Sequence, residues 1–149
     1  MSDHLLNVRR CTLIKASPAE VWSHFETQKA MAAWFSIGHT LDEFVPGPSG
    51  KIALHVNLDS GKRGFGGNIT NWEPARRLSI ADNWFDEDMA WPVDLAISFV
   101  LTETEGGTLV ELLHHGFEAL GDDAGNQHEM YESGWNNQHL MALKKIVES

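Results

Sequence analysis

The pattern of hydrophobic and polar positions predicts a strand, a short helical region, a series of strands and a long final helix. The segment Leu6–Ile14 mixes β-branched and polar residues, which is typical of a strand. Ser17, Pro18 and Glu20 then form a helix-start signal: the Ser17 hydroxyl can accept a hydrogen bond from the Glu20 amide, and proline suits the first helical position. We therefore predict one helix from Pro18 and a second, short helix over Lys29–Trp34.

The stretch from Thr40 to Phe117 is typical of strands separated by turns. Over Leu95–Leu101, large apolar residues alternate with polar or small ones, as in a half-buried strand. The predicted strands are Lys51–Asn57, Gly64–Trp72, Arg77–Phe85, Val93–Glu103 and Thr108–Phe117. Five or six strands joined by short loops indicate an antiparallel meander.

The last part of the chain, Asn126–Glu148, predicts a helix of about 23 residues, near 34 Å long. Asn126 and Glu129 form a candidate capping pair at its start. Gly134 indicates either the close approach of another element or a kink. A curved sheet needs its concave face covered, so we predict a single α+β domain over residues 1–149, with the sheet wrapped around this helix and a wedge-shaped space between them.

The composition is rich in large aromatic rings. Six Trp and seven Phe residues, with one Tyr, occur among 149 residues, a length that fits one domain. Large rings leave gaps unless their shapes interlock, so these residues either fill a core or line a cavity. The composition is consistent with both alternatives.

The charge balance and the cysteine count exclude several classes of function. Eleven basic residues against 21 acidic ones give a net charge of −10, which disfavours nucleic acid and anionic membrane surfaces as partners. The longest apolar run, Ala30–Phe35, is too short to span a membrane, and residues 1–4 lack a secretory signal, so we expect a cytoplasmic protein. The single cysteine, Cys11, excludes an internal disulfide and is predicted to be an inert packing residue.

The residues favour neither a metal nor a cofactor. His128 and Glu129 lack the second histidine of a helical zinc motif. The glycine-rich stretch Gly64–Gly67 lies among strands rather than before a helix, so it predicts a bend or bulge in a strand and not a phosphate site.

Five local motifs follow one another along the chain: Ala16–Trp22, Ala33–Phe35, Glu73–Leu78, His114–Phe117 and Gly134–Leu140. Their order resembles the START-like (SRPBCC) superfamily with its helix-grip fold, and in particular its AHSA-type subfamily, named for activators of a heat-shock chaperone ATPase. The resemblance spans nearly the whole chain. It implies a cavity between sheet and helix, which the superfamily uses for lipids, polyketides, sterols and other apolar molecules.

We therefore expect the protein to bind a small apolar or aromatic molecule in that cavity, as a carrier or sensor. The candidate ligand-binding residues are Trp34, Phe35, Trp84, Phe99, His114, Tyr131, Trp135 and His139. Trp22 and Phe25 are expected to anchor the first helix to the sheet, and Trp91 with Met89 to lie on a loop at the mouth of the pocket.

Two other functions stay open. The first is a cyclase, dehydratase or hydrolase in which a cavity His, Asp82 or Glu111 transfers protons. His114 and His115 are adjacent on a predicted strand and must point to opposite faces, so only His114 is expected to face the helix. A structural hydrogen bond is the commoner role for such a histidine.

The second is an interaction with a chaperone, implied by the resemblance. The eukaryotic co-chaperones of the family carry an additional N-terminal domain, which we do not expect here because the first predicted strand begins at Leu6. A homodimer is a further alternative, through edge strands or Trp91.

Overall fold

Seven antiparallel strands form one curved sheet in the computed structural model, which describes residues 6–149. The first four residues, which underlie the prediction of no secretory signal, lie outside that part of the chain. The strands are β1 (Asn7–Ile14), β2 (Thr40–Val45), β3 (Lys51–Leu58), β4 (Gly61–Glu73), β5 (Arg77–Trp84), β6 (Leu95–Thr104) and β7 (Gly107–His115). Their order in the sheet is β1-β7-β6-β5-β4-β3-β2, so the predicted meander is confirmed. Strand β1 pairs with β7, the last strand of the meander.

Helices cover the concave face of the sheet. They are α1 (Pro18–Trp22), α2 (Gln28–Phe35), α3 (Ala124–Gly134) and α4 (Gln138–Glu148), with 3-10 turns at Ser23–Phe25 and Phe117–Asp123. The predicted fold class, an α+β helix-grip fold, is confirmed. None of these helices is both long enough and apolar enough to cross a membrane, over the described residues.

The start of α1 is the one that the sequence predicts. Pro18 is its first residue, and the Glu20 amide donates a hydrogen bond of 3.2 Å to the Ser17 hydroxyl. A second cap has the same chemistry: the Ala30 amide donates to Thr27 Oγ1 over 3.1 Å, which satisfies a free N–H group at the start of α2.

The long C-terminal helix is present but interrupted, because the backbone of Trp135 is extended between α3 and α4. Among residues 6–149, no atom of another element lies within 4 Å of a Cβ built on Gly134, so of the two alternatives for this glycine the kink is correct. The predicted capping pair of Asn126 and Glu129 is wrong. Helix α3 begins earlier, after Asp123, and the Asn126 side chain donates a hydrogen bond to the Asp123 carboxylate.

Aromatic rings fill the space between the sheet and the first two helices. Trp22 packs edge-on against Trp72 at 4.9 Å, and Phe25 packs against Phe99 at 5.5 Å, so the two predicted anchors of the first helix are confirmed.

The prediction that Cys11 is a packing residue is wrong. Cys11 lies on the outer face of β1 and is exposed.

The glycine-rich stretch, predicted as a bend or bulge, lies where the backbone of β4 closely approaches those of β3 and β5. A Cβ atom on Gly67 would lie 2.3 Å from the Ala81 carbonyl oxygen, and one on Gly66 would lie 2.3 Å from the Ile52 carbonyl oxygen. Only glycine allows this approach of three backbones, and the pairing of β4 with β5 shifts register a few residues further on.

Candidate functional site

A cavity of about 320 Å³ lies between the concave face of the sheet, the segment that joins α2 to β2, and the break between α3 and α4. Its walls are mostly apolar and aromatic, with three histidines and one aspartate among them. The lining residues are Phe35, Ile37, Gly38, His39, Val56, Leu58, Phe65, Asp82, Trp84, Ile97, His114, Tyr131, Gly134, Trp135 and His139.

Six of the eight candidate residues lie in this wall, namely Phe35, Trp84, His114, Tyr131, Trp135 and His139. The other two do not line it. Trp34 and Phe99 are fully buried and pack edge to face at 5.4 Å, beside Phe25. Their prediction as pocket walls is wrong because Trp34, on α2, packs against Phe99, on β6, in the core that anchors α2 to the sheet.

Trp135 enters the cavity because the helix breaks at its position. Its backbone is extended, at φ −78° and ψ 117°, and its side chain is 9% exposed. The guanidinium of Arg10, on β1, holds the break: it donates to the Trp135 carbonyl through Nε at 3.1 Å and Nη2 at 2.8 Å, and to the Glu132 carbonyl at 2.8 Å. Arg10 thus satisfies carbonyl groups that the end of α3 leaves free.

His114 is held on both sides of its ring. The Trp135 indole N–H donates to His114 Nδ1 over 2.9 Å, and an indole N–H can only donate, so the ring proton of neutral His114 is on Nε2. Nε2 lies 3.1 Å from Oδ2 of Asp82, close enough for electrostatic attraction, although the N–H does not point along a hydrogen-bonding direction. Both ring nitrogens of His114 therefore face fixed protein groups.

His139 and His39 stack at the opposite side of the cavity, with ring centroids 5.4 Å apart and an angle of 14° between the rings. His139 Nε2 contacts the Ile37 carbonyl oxygen at 3.0 Å, which fixes the proton on Nε2 and leaves Nδ1 as an acceptor. That Nδ1 atom is buried without a partner, and so is His39 Nε2.

Burial keeps both of these histidines neutral. It lowers the pKa of His39 to about 4, with a further contribution from the nearby His139, and it lowers the pKa of His139 as well. Tyr131 stays protonated, since burial and then the negative charge of Asp82 raise its pKa above the ordinary range.

His115 and the predicted acid–base candidate Glu111 lie outside the cavity. His115 points to the outer face of the sheet, as the alternation predicts, and its Nε2 lies 3.2 Å from the Ser98 hydroxyl. Glu111 also lies on that outer face, where it pairs with Arg9, so its candidacy as a cavity acid is wrong. Asp82 does line the cavity, at the end of β5.

Sequence reasoning missed His39 and the role of Arg10. His39 lies two residues before the buried Leu41, so the period of a strand extended backwards would have placed both on the inner face. The contact of Arg10 with α3 spans more than 120 residues and leaves no local signal in the sequence.

A second hollow, of about 480 Å³, adjoins the cavity and shares Leu58, Trp84 and Tyr131 with it. Met89 and Trp91 line this hollow, which agrees with their predicted position on a loop at the pocket mouth. Trp91 is half-buried and packs edge-on against Tyr131 at 5.9 Å.

The cavity histidines do not form a metal site with neighbouring ligands. Within residues 6–149, no three His, Cys, Asp or Glu side chains are grouped so that they could hold a metal ion.

A curved antiparallel sheet gripping a C-terminal helix, with an aromatic cavity between them, defines a START-like (SRPBCC) domain. The chain belongs to the family described as "Activator of Hsp90 ATPase homolog 1-like protein", whose model matches residues 15–148. This confirms the AHSA-type resemblance.

Solved structures of low sequence identity share the fold. Protein CV1439 from Chromobacterium violaceum is 20% identical with a TM-score of 0.70, and the match covers 97% of this chain and 98% of that one. Protein NE0264 from Nitrosomonas europaea is 15% identical with a TM-score of 0.70, covering 96% and 94%. The Aha1 dimer from Colwellia psychrerythraea is 18% identical with a TM-score of 0.59, covering 95% and 96%. No curated protein matches the chain.

Proposed function

We propose that this protein binds a small apolar or aromatic molecule in the cavity between the sheet and the C-terminal helices, as a carrier or sensor. The observation that carries the proposal is the make-up of the wall: an aromatic-lined space of about 320 Å³ with a small polar cluster in its lining. Such a space fits the description of small-molecule sites, in which apolar walls supply affinity and a few fixed polar groups orient the ligand.

The structure also favours a binding role over acid–base catalysis by His114. Both ring nitrogens of His114 face fixed groups, Trp135 on one side and Asp82 on the other. A proton-transfer enzyme stays the second candidate because His139 Nδ1 is a neutral, unpartnered base beside the cavity.

A chaperone partner and a homodimer are further proposals. They are supported by the family description and by the printed description of the Colwellia psychrerythraea relative as a dimer. Co-purification with the chaperone, and the mass in solution by analytical ultracentrifugation, test them separately from ligand binding.

Ligand binding is tested by filling the cavity. Val56 lines it from β3, whereas Val45 is exposed on β2 and does not. Isothermal titration with a matched set of naphthalene compounds (1-naphthylmethylamine, 1-naphthalenemethanol and 1-naphthoic acid) should detect binding of at least one of them to the wild type. The V56F variant should weaken this binding at least about tenfold, while V45F leaves it unchanged. Equal binding by the wild type and V56F, or no binding of any of the three, would contradict the proposal.

A further inference from the structure

The polar wall of the cavity carries a negative charge that no Lys or Arg of the described residues 6–149 balances. Asp82 is 4% exposed, and across residues 6–149 its carboxylate makes one ion-pair contact, with His114. That ring is neutral when Trp135 donates to Nδ1, because a protonated ring would place two N–H groups against each other. A buried carboxylate without a cationic partner is costly, so a ligand that supplies one would gain binding energy.

Two further polar atoms of the wall are suited to a ligand that donates hydrogen bonds. His139 Nδ1 is a buried lone pair with no partner, and His39 Nε2 is buried without one as well. No Lys or Arg side chain lines the cavity in the part of the chain that the structure describes. The wall thus combines these acceptors with two donors, the Nε2–H of His114 and the Tyr131 hydroxyl, and it holds no cation that could attract an anionic ligand.

The apolar part of the wall suits a cation too. The rings of Phe35, Trp84 and Trp135 line the space around Asp82 and His39, and aromatic faces attract cations, especially where water is excluded. The charge of Asp82 reaches across this space, since it acts on both Tyr131 and His39. With a net charge of −10, the protein as a whole also attracts cations.

We propose that the ligand is an organic cation, an ammonium group on an aromatic or apolar body, with the ammonium at Asp82 and the body between the aromatic rings. This inference rests on the proposed function and names its ligand class. A neutral alcohol of the same shape would make weaker hydrogen bonds to the same acceptors, and a carboxylate would be repelled by Asp82.

The naphthalene set tests the charge of the ligand at constant shape. At pH 7, we expect 1-naphthylmethylamine to bind the wild type at least about tenfold more tightly than 1-naphthalenemethanol, and 1-naphthoic acid to bind most weakly. The D82N variant should remove the preference for the amine and leave the affinity for the alcohol within about threefold. E105Q makes the same change in net charge at an exposed turn between β6 and β7, and it should keep the preference.

The possible outcomes separate the proposed ligand class from the proposed binding function. If the alcohol binds the wild type as tightly as the amine, or if D82N keeps the preference, the ligand class is wrong while the binding function stands. If none of the three compounds binds the wild type, both fail. Should D82N not fold, as judged by circular dichroism, the ranking of the three compounds on the wild type decides alone.

Discussion

The side chain of Trp135 sets the chemical state of His114. Its indole N–H donates to a buried ring nitrogen, and it thereby holds the tautomer that carries its proton on Nε2, 3.1 Å from Oδ2 of Asp82. Trp22 offers a contrast within the same protein. Its indole N–H is also buried, but it has no hydrogen-bond partner.

This contrast gives a matched pair of substitutions. W135F removes a donor and leaves His114 Nδ1 buried and unsatisfied, whereas W22F removes a donor that had no acceptor. Both lose similar volume, so we expect W135F to lower the free energy of unfolding by about 1–2 kcal/mol more than W22F does. Urea denaturation measures both, and an equal loss in the two variants would show that the indole–imidazole bond contributes nothing.

His39 makes stability depend on pH. Its pKa is about 4 in the fold and near 6.5 in the unfolded chain, so between these values the unfolded chain binds more protons. Stability therefore falls as the pH drops from about 6.5 to 4, and burial of His139 adds to the same trend. In H39Q, the slope of unfolding free energy against pH in this window should be smaller than in the wild type. A parallel pair of pH profiles would contradict the burial of a neutral His39.

The break between α3 and α4 depends on Arg10 from the first strand. Its guanidinium donates hydrogen bonds to the Trp135 and Glu132 carbonyls and, over 3.1 Å, to the Glu132 carboxylate. Further along, Lys144 of α4 donates to the Leu13 carbonyl at 2.6 Å, so β1 fixes both halves of the interrupted helix.

R10M removes the cap of α3 while it keeps an apolar side chain of similar length. We expect a loss of about 1–3 kcal/mol in unfolding free energy and weaker binding of the naphthalene probe, because Trp135 loses its fixed position. The neighbouring R9M variant loses only a surface ion pair with Glu111 and should stay within about 1 kcal/mol of the wild type. If R10M were as stable as R9M and bound the probe normally, Arg10 would not hold the break.

The elements could be predicted from sequence to the extent that their signals are local. The Ser17–Glu20 cap involves neighbouring residues and is confirmed, and so is the burial of every second residue from Leu95 to Leu101 along β6, where Ser98 is buried as well. The division between cavity wall and core could not be predicted. Trp34 and Phe35 are adjacent on α2, yet only Phe35 reaches the cavity, because the choice depends on how the helix is rotated against the sheet.

At the scale of the whole molecule, the cavity exists because the interrupted helix does not fill the curved sheet. The core beside α1 and α2 is packed with interlocking rings, while the rings around Trp135 line a space of about 320 Å³. The same composition thus provides both a filled core and a lined cavity, the two alternatives that aromatic content alone leaves open.

The six tryptophans make ligand binding directly observable, since each indole N–H gives its own signal in a ¹H–¹⁵N spectrum. On titration with 1-naphthylmethylamine, and then with 1-naphthalenemethanol, we predict that the signals of Trp84 and Trp135 shift most and those of Trp22 and Trp34 stay in place. Unchanged signals at saturating probe, or shifts greatest at Trp22 and Trp34, would contradict binding in the cavity.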